Sequence, residues 1–178
     1  MSSIIPSGGA SGTGSMTLLA PNTNSNQVCT FPDATGTAMV SGNMPAFSAY
    51  ANTNQSIGAS TFTKLQINST ATTGFDTNSN YSISNYRFTP TVAGYYQING
   101  AVGYTANPGT YGIATIYKNN SEFLRGTQGS NTNCIVSGII YFNGSTDYVE
   151  LWAYASNAST ASGVSYLTYF NGSMVRAA

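Results

Sequence analysis

The 178-residue sequence predicts an all-β protein, and three observations carry the prediction. The stretch from Arg87 to Tyr104, RFTPTVAGYYQINGAVGY, alternates Tyr96, Ile98, Val102 and Tyr104 with Tyr95, Gln97, Asn99 and Ala101, the period of two that a strand imposes. Aromatic residues make up 12% of the chain, Tyr alone numbering 13, and Asn, Ser, Thr and Gly fill the gaps between short apolar runs. That is the composition of many strands joined by turns. No helical periodicity lasts long enough to define a helix.

Residues 1–15 are too rich in Gly and Ser to build a core, and read as a flexible leader or docking arm with Ile4-Ile5-Pro6 as a short anchor. Residues 16–43 hold two short apolar segments ended by Pro21 and Pro32, around a polar turn at 22–27. Such a hairpin cannot bury its apolar side chains within one chain, and alone it is marginal. Leu18, Val28, Phe31 and Met39 are therefore expected to form a stem interface between copies, and Ser41-Gly42-Asn43 joins this stem to a head at residues 44–178.

Within the head, residues 45–51 read as a strand and 52–55 as a loop, and residues 62–67 alternate as a strand with one wet face. Gly74-Phe75-Asp76 and Asn78-Ser79-Asn80 are turn chemistry around a short strand. Pro90 lacks an N–H and pushes Thr89 toward extended backbone, closing one segment before Gly94 bends the chain into the long strand. On that strand Tyr95 stands beside amide and small residues, so its face is expected to meet another copy of the chain. Residues 111–117 and 134–142 are strands, the second so continuously apolar that it is placed buried on both faces. Asn143-Gly144 is a hairpin signal leading into residues 148–155. There Val149, Leu151 and Ala153 point one way, and Tyr148, Glu150, Trp152 and Tyr154 the other. The aromatic side fits a subunit interface or cross-strand packing, and also a ligand platform, because such rings stack on sugars and bases.

Phe88-Thr89-Pro90 followed by Ala93-Gly94-Tyr95-Tyr96 resembles the F-x-P…AG-x-Y-x-F signature of the C1q-like domain, a ten-stranded jelly roll of the tumour necrosis factor superfamily. In the family's order, Pro45-Ala46-Phe47-Ser48-Ala49 looks like its first strand and Ile116-Tyr117-Lys118-Asn119-Asn120 like its fourth strand and turn. Gly144-Ser145-Thr146-Asp147-Tyr148-Val149 looks like the turn into its GD-x-V strand, and Phe170-Asn171-Gly172-Ser173-Met174-Val175 like its closing strand. The resemblance spans residues 45–178 and departs from the pattern at Ile98, where an aromatic is usual, and at the short segment 156–164. It implies a C1q/TNF-like jelly-roll sandwich of about ten strands carrying an N-terminal extended β arm or stem. It also implies a homotrimer in which Phe170 and Met174 face the threefold axis, so that Tyr95, Gln97, Phe170, Met174 and Trp152 make up the expected trimer interface. Thr17-Leu18-Leu19-Ala20-Pro21 and Thr30-Phe31-Pro32-Asp33-Ala34-Thr35-Gly36-Thr37 resemble the T-L-x-A-P…T-L-P-D-A-x-G-T module of bacteriophage tail fibres and related virion appendages.

Charge narrows the function. Only 6% of residues are charged, five of each sign, and Lys64, Arg87, Lys118, Arg125 and Arg176 are scattered, so no nucleic-acid partner is expected. A nearly uncharged surface stays soluble when its apolar area is buried in a defined assembly. No window approaches a membrane span and the first residues lack a signal peptide's basic and apolar regions, so no membrane insertion is expected. Cys29 and Cys134 read as small buried hydrophobes. With no His and with Asp33, Asp76, Glu122, Asp147 and Glu150 dispersed, neither a metal, a cofactor nor catalysis is expected, and Asp147 reads as a turn cap. The sequons are those expected by chance in a chain so rich in Asn, Ser and Thr.

The sequence thus points to a bacteriophage virion structural protein, made in the host cytoplasm and exposed on the particle as a homotrimeric fibre tip, knob or decoration. Its N-terminal arm is expected to dock on other virion proteins. Loops carrying Asn107, Tyr111 and Asn131 are expected to contact a host surface glycan or protein, three weak sites giving avidity. The alternatives are a purely architectural decoration and a secreted C1q-like adhesive or ligand-binding module, against which the scarcity of cysteine weighs.

Overall fold

Alternating side chains need something to bury against, and in the computed structural model two antiparallel sheets supply it for each other. The structure describes Thr17, Asn24, Asn26, Val28, residues 39–130 and residues 132–178. The chain divides into two compact units, Met1–Gly36 and Thr37–Ala178. In the first, Val28 is exposed; Leu18 and Phe31 lie outside the described residues.

The second unit opens with a 3-10 turn, Ser41–Asn43, and continues through thirteen strands. These are β1 Ala46–Tyr50, β2 Gln55–Ile57, β3 Thr63–Lys64, β4 Phe75–Asp76, β5 Tyr81–Ser82, β6 Arg87–Phe88, β7 Gly94–Gly103, β8 Gly112–Lys118, β9 Ser121–Gly129, β10 Asn133–Phe142, β11 Val149–Ala155, β12 Ser159–Ala161 and β13 Tyr169–Ala177. One sheet has the order β10-β7-β13-β1-β4 and the other β5-β6-β11-β8-β9, with β3 on β11 and a separate β12-β2 ribbon. The non-sequential order is that of a jelly roll, and it accords with the sandwich expected from the sequence.

Between the sheets lies one aromatic-rich core. Phe47 stacks on Phe88 at 4.2 Å between centroids and meets Phe170 edge-on at 5.2 Å, while Tyr96 meets Phe142 at 5.2 Å. Ile98, Ile116, Ile140, Val149 and Leu151 fill the rest. Each such side chain contributes about 1.5–3 kcal/mol on full burial.

Three expectations change here. Phe170 and Met174 do not face outward: both are buried in the protomer's own core, and β13 turns Tyr169, Asn171 and Ser173 out instead. The strand's two largest apolar side chains share one parity, and the core takes that parity. Strand β10 is not buried on both faces. Its inner face packs on the core while nothing among the described residues covers the outer face of its sheet, so alternate residues Ile135, Ile139 and Tyr141 are 53%, 61% and 44% exposed. Finally, Asn143-Gly144 does not close a hairpin, because β10 and β11 belong to different sheets and the turn carries the chain across. Gly144 has φ +73°, and Asn143 Oδ1 accepts from the backbone N–H groups of Ser145, Thr146 and Asp147. Asp147 Oδ2 accepts from Asn143 N in return, the capping role its position suggested. The two-residue turn between β8 and β9 puts both Asn119 and Asn120 at positive φ, the geometry that matches strand twist in tight hairpins.

Candidate functional site

The sandwich presents two outer faces and two ends. On the first sheet, register places Ser137 opposite Asn99, Ile139 opposite Gln97 and Tyr141 opposite Tyr95, so these side chains share one outward surface. The Tyr95 and Tyr141 rings pack at 5.4 Å, and Tyr95 is 42% exposed. Beside this apolar flank runs an amide strip. Gln97 Nε2 donates to Asn99 Oδ1 at 3.0 Å and to Ser137 Oγ at 2.9 Å, and Asn99 Nδ2 donates to Asn171 Oδ1 at 3.0 Å. No outward position of β7 or β10, nor Tyr169, Asn171 or Ser173 on β13, carries a charge. A groove of about 450 Å³ adjoins the strip, lined by Ser48, Tyr50, Tyr166, Tyr169 and Asn171 among others.

The second sheet's outer face is different in kind. Glu150, only 1% exposed, pairs with Lys64 Nζ at 2.6 Å and Arg87 Nη2 at 3.0 Å. Trp152 Nε1 donates to the other carboxylate oxygen at 3.1 Å. Arg87 also lies over the Tyr148 ring at 4.0 Å from its centroid. Further along, Arg125 pairs with Glu122 at 2.6 Å, and this hydrogen bond holds the Glu122 carboxyl below its ordinary value. Trp152, expected beside Tyr95 and Gln97, thus stands on the opposite outer face from them, because β11 and β7 belong to different sheets.

The ends are distinguished by where the chain enters. Met39 Sδ accepts from Ala177 N at 3.3 Å, and Ala177 pairs with Gly94, so the entering chain and the end of β13 share one end, the base. Met39, expected in the stem, packs there against the head's own core. Strand β7 runs from this base to Gly103 at the opposite end, the apex, where the 105–111 loop begins. Asn107 and Tyr111 both lie on that loop. Asn107 Oδ1 accepts from Gly109 N at 2.8 Å, and the Tyr111 ring stacks on Tyr154. Asn131 lies outside the described residues. The residues that lead up to it, 126–129, belong to strand β9.

Sequence reasoning missed Ile135, Ile139 and Tyr141 as surface residues. The signal was present: Ser137 and Tyr141 share their parity, whereas Cys134, Val136, Ile140 and Phe142 occupy the other. The four described carboxylates all have structural partners, Asp76 accepting from the N–H groups of Asn80 and Tyr81. Among the described residues no three His, Cys, Asp or Glu side chains converge as a metal site.

Fold and faces together define a jelly roll with two unlike outer faces and a loop-bearing apex. The same jelly roll is seen in solved structures of tumour necrosis factor type. The crystal structure of murine APRIL at pH 8.0 matches with a TM-score of 0.56 at 10% identity, over 74% of this chain and 99% of that one. Eiger TNF from S. frugiperda matches with a TM-score of 0.55 at 9% identity, over 76% and 95%. The globular domain of zebrafish complement 1qA matches with a TM-score of 0.49 at 15% identity, over 75% and 99%. At such identities the likeness is one of fold. No protein-family profile matches the chain, and no curated protein does.

Proposed function

We propose that this chain is a homotrimeric structural protein of a bacteriophage virion, a fibre tip, knob or decoration whose head contacts the host surface multivalently. The observation that carries the reading is the outer face of the first sheet. It exposes Tyr95, Ile135, Ile139 and Tyr141 around an uncharged amide strip, and a soluble protein keeps such a patch when another subunit covers it. Depletion of charge with retained Tyr and Ile is the composition of an interface core. In this reading Tyr95 and Gln97 meet the neighbouring subunit together with Ile135, Ile139 and Tyr141, in place of Phe170, Met174 and Trp152.

The virion assignment is supported by the fibre-like residues 16–37 and by the head's polarity. Within the head, Asn107 and Tyr111 stand at the opposite end from Met39 and the end of β13. Three such apices on one rigid trimer supply avidity from weak contacts. Sedimentation equilibrium of the full chain tests the assembly, with three times the 18.6 kDa chain mass expected and a monomer at micromolar concentration overturning it. Mass spectrometry of purified particles tests the location: its absence from particles, with the protein found free in the medium, favours the secreted adhesive module instead.

A further inference from the structure

We propose that the outer face of the second sheet is a binding platform for an acidic polysaccharide; this deepens the host-contact reading above and rests on it. Five aromatic rings run across this face in an unbroken line of contacts. Trp152 stacks on Tyr117 with centroids 4.4 Å apart and planes within 19°. Phe62, reaching over from the segment before β3, lies 6.1 Å from Tyr117 and 5.0 Å from Tyr154. Tyr154 stacks in turn on Tyr111 at 5.9 Å and 16°. All five are part-exposed, and none lies on the uncharged face assigned to trimer contact.

The line is held rigid from beneath. The Trp152 indole is oriented by its hydrogen bond to Glu150, and Glu150 is itself fixed between Lys64 and Arg87. A ligand therefore meets rings already ordered, so little conformational entropy remains to be lost on binding. Pyranose rings present flat C–H faces that stack on aromatic surfaces, and a chain of them suits an open row of rings better than a closed cavity does.

Charge selects an acidic chain. One carboxylate stands between two cations in the Lys64–Glu150–Arg87 cluster, which leaves a net positive charge, while Glu122 and Arg125 cancel each other. The Lys64 side chain is 26% exposed, and an ammonium has three donors, of which Glu150 takes one. A uronate carboxylate is the complementary group.

The chain has a single tryptophan, Trp152, so intrinsic tryptophan fluorescence reports on this face alone. Full-length protein is titrated with oligogalacturonate, with hyaluronan oligosaccharides and with neutral maltohexaose. The expected result is a saturable fluorescence change with at least one acidic oligosaccharide, several-fold weaker binding of maltohexaose, and weakening by added salt. Tyr111→Ala, at the end of the row, is expected to lower affinity about tenfold at unchanged melting temperature. Lack of a saturable change with either acidic sugar overturns the proposal. Equal binding of maltohexaose overturns its acidic specificity, and unaltered affinity in Tyr111→Ala overturns the aromatic row. A trimer found on particles that gives no fluorescence response refutes this inference and leaves the virion reading standing; a saturable response from a monomer does the reverse.

Discussion

Replacing Ile139 by glutamate separates the protomer's fold from its assembly. Ile139 is 61% exposed in the single chain, so the fold makes little use of it. Outward substitutions of that kind shift stability by roughly 0.5 kcal/mol or less. Full burial of an isoleucine contributes about 1.5–3 kcal/mol, so covering its exposed part in the trimer contributes roughly 1–2 kcal/mol. A carboxylate put there must lose its water with no cation opposite it, since its cross-strand partner is Gln97 and the cations bordering the face, Arg176 and Lys118, lie beside Tyr95 and Tyr141. That adds roughly 2–3 kcal/mol more. At a total of about 4 kcal/mol, each subunit contact weakens by roughly a thousandfold. The expected outcome is a monomer at micromolar concentration by sedimentation equilibrium, with a melting temperature set by the protomer alone. A trimer of undiminished stability in Ile139→Glu would refute the assignment of this face.

Glu150→Gln leaves Lys64 and Arg87 against each other with no charge to balance them. Because both cations are partly exposed, the expected loss is about 2–3 kcal/mol in urea unfolding, below that of a fully buried pair, and a change under about 0.5 kcal/mol would show that the cluster is not a stabilising unit. Gly144→Ala places a methyl 2.4 Å from Ala93 N at φ +73°, where backbone and not a flexible side chain must yield. A loss of about 3 kcal/mol, or roughly 10 °C in Tm by calorimetry, is expected, and an unchanged Tm would mean that the turn relaxes freely. Burial pushes the Tyr96 hydroxyl up to about 12 and raises those of Tyr81 and Tyr104 as well. Folded-state values above the unfolded ones mean that this stability is fully present below about pH 10 and is lost as pH rises from there through the folded values. Alkaline unfolding should therefore coincide with the late part of the phenolate absorbance titration, and ionisation of every tyrosine without unfolding would contradict it. On the acid side, Arg125 holds Glu122 low. Asp147, despite desolvation, is held low by Asn119, Lys118 and the Asn143 N–H. Their contribution is present above about pH 4 and falls away below it.

Much of the sandwich was legible because period two is a local property. Strands β7 and β11 showed it in their own residues, β8 and β10 showed strand composition without it, and Phe88-Thr89-Pro90 with Gly94 marked where β7 begins. What could not be read was which neighbour each strand would find. Residues 134–142 look buried on both sides because isoleucine and tyrosine stand on the odd face and the sequence does not say that nothing among the described residues covers that face of the sheet. Asn143-Gly144 has the chemistry of a hairpin, and only the pairing of β10 with β7 and of β11 with β8 makes it a crossing between sheets. Strand β9 escaped notice because Glu122, Arg125 and Gln128 give it the composition of a loop; the positive φ of Asn119 and Asn120 folds it back on β8. Phe170 and Met174 were given to the threefold axis by resemblance, whereas parity alone, set by Tyr169 and Asn171 facing out, decides for the core.

The distribution of charge then separates the two outer faces more sharply than hydrophobicity does. Both expose aromatic rings, so apolar area alone does not say which one another subunit covers. On the first face the polar groups are amides and hydroxyls that bond one another, Gln97 to Asn99 and Ser137, and Asn99 to Asn171. Such groups lose little on desolvation because their partners come with them. On the second face the polar groups include Lys64, Arg87, Glu122 and Arg125, all partly exposed and hydrated. Covering them with a protein surface would strip that water without offering new partners. A thin, hydroxyl-rich ligand leaves much of it in place. The same alternating pattern therefore yields one face suited to a copy of itself and one suited to a wet ligand, and the substitution Ile139→Glu should disturb the first while leaving fluorescence of Trp152 on the second unchanged.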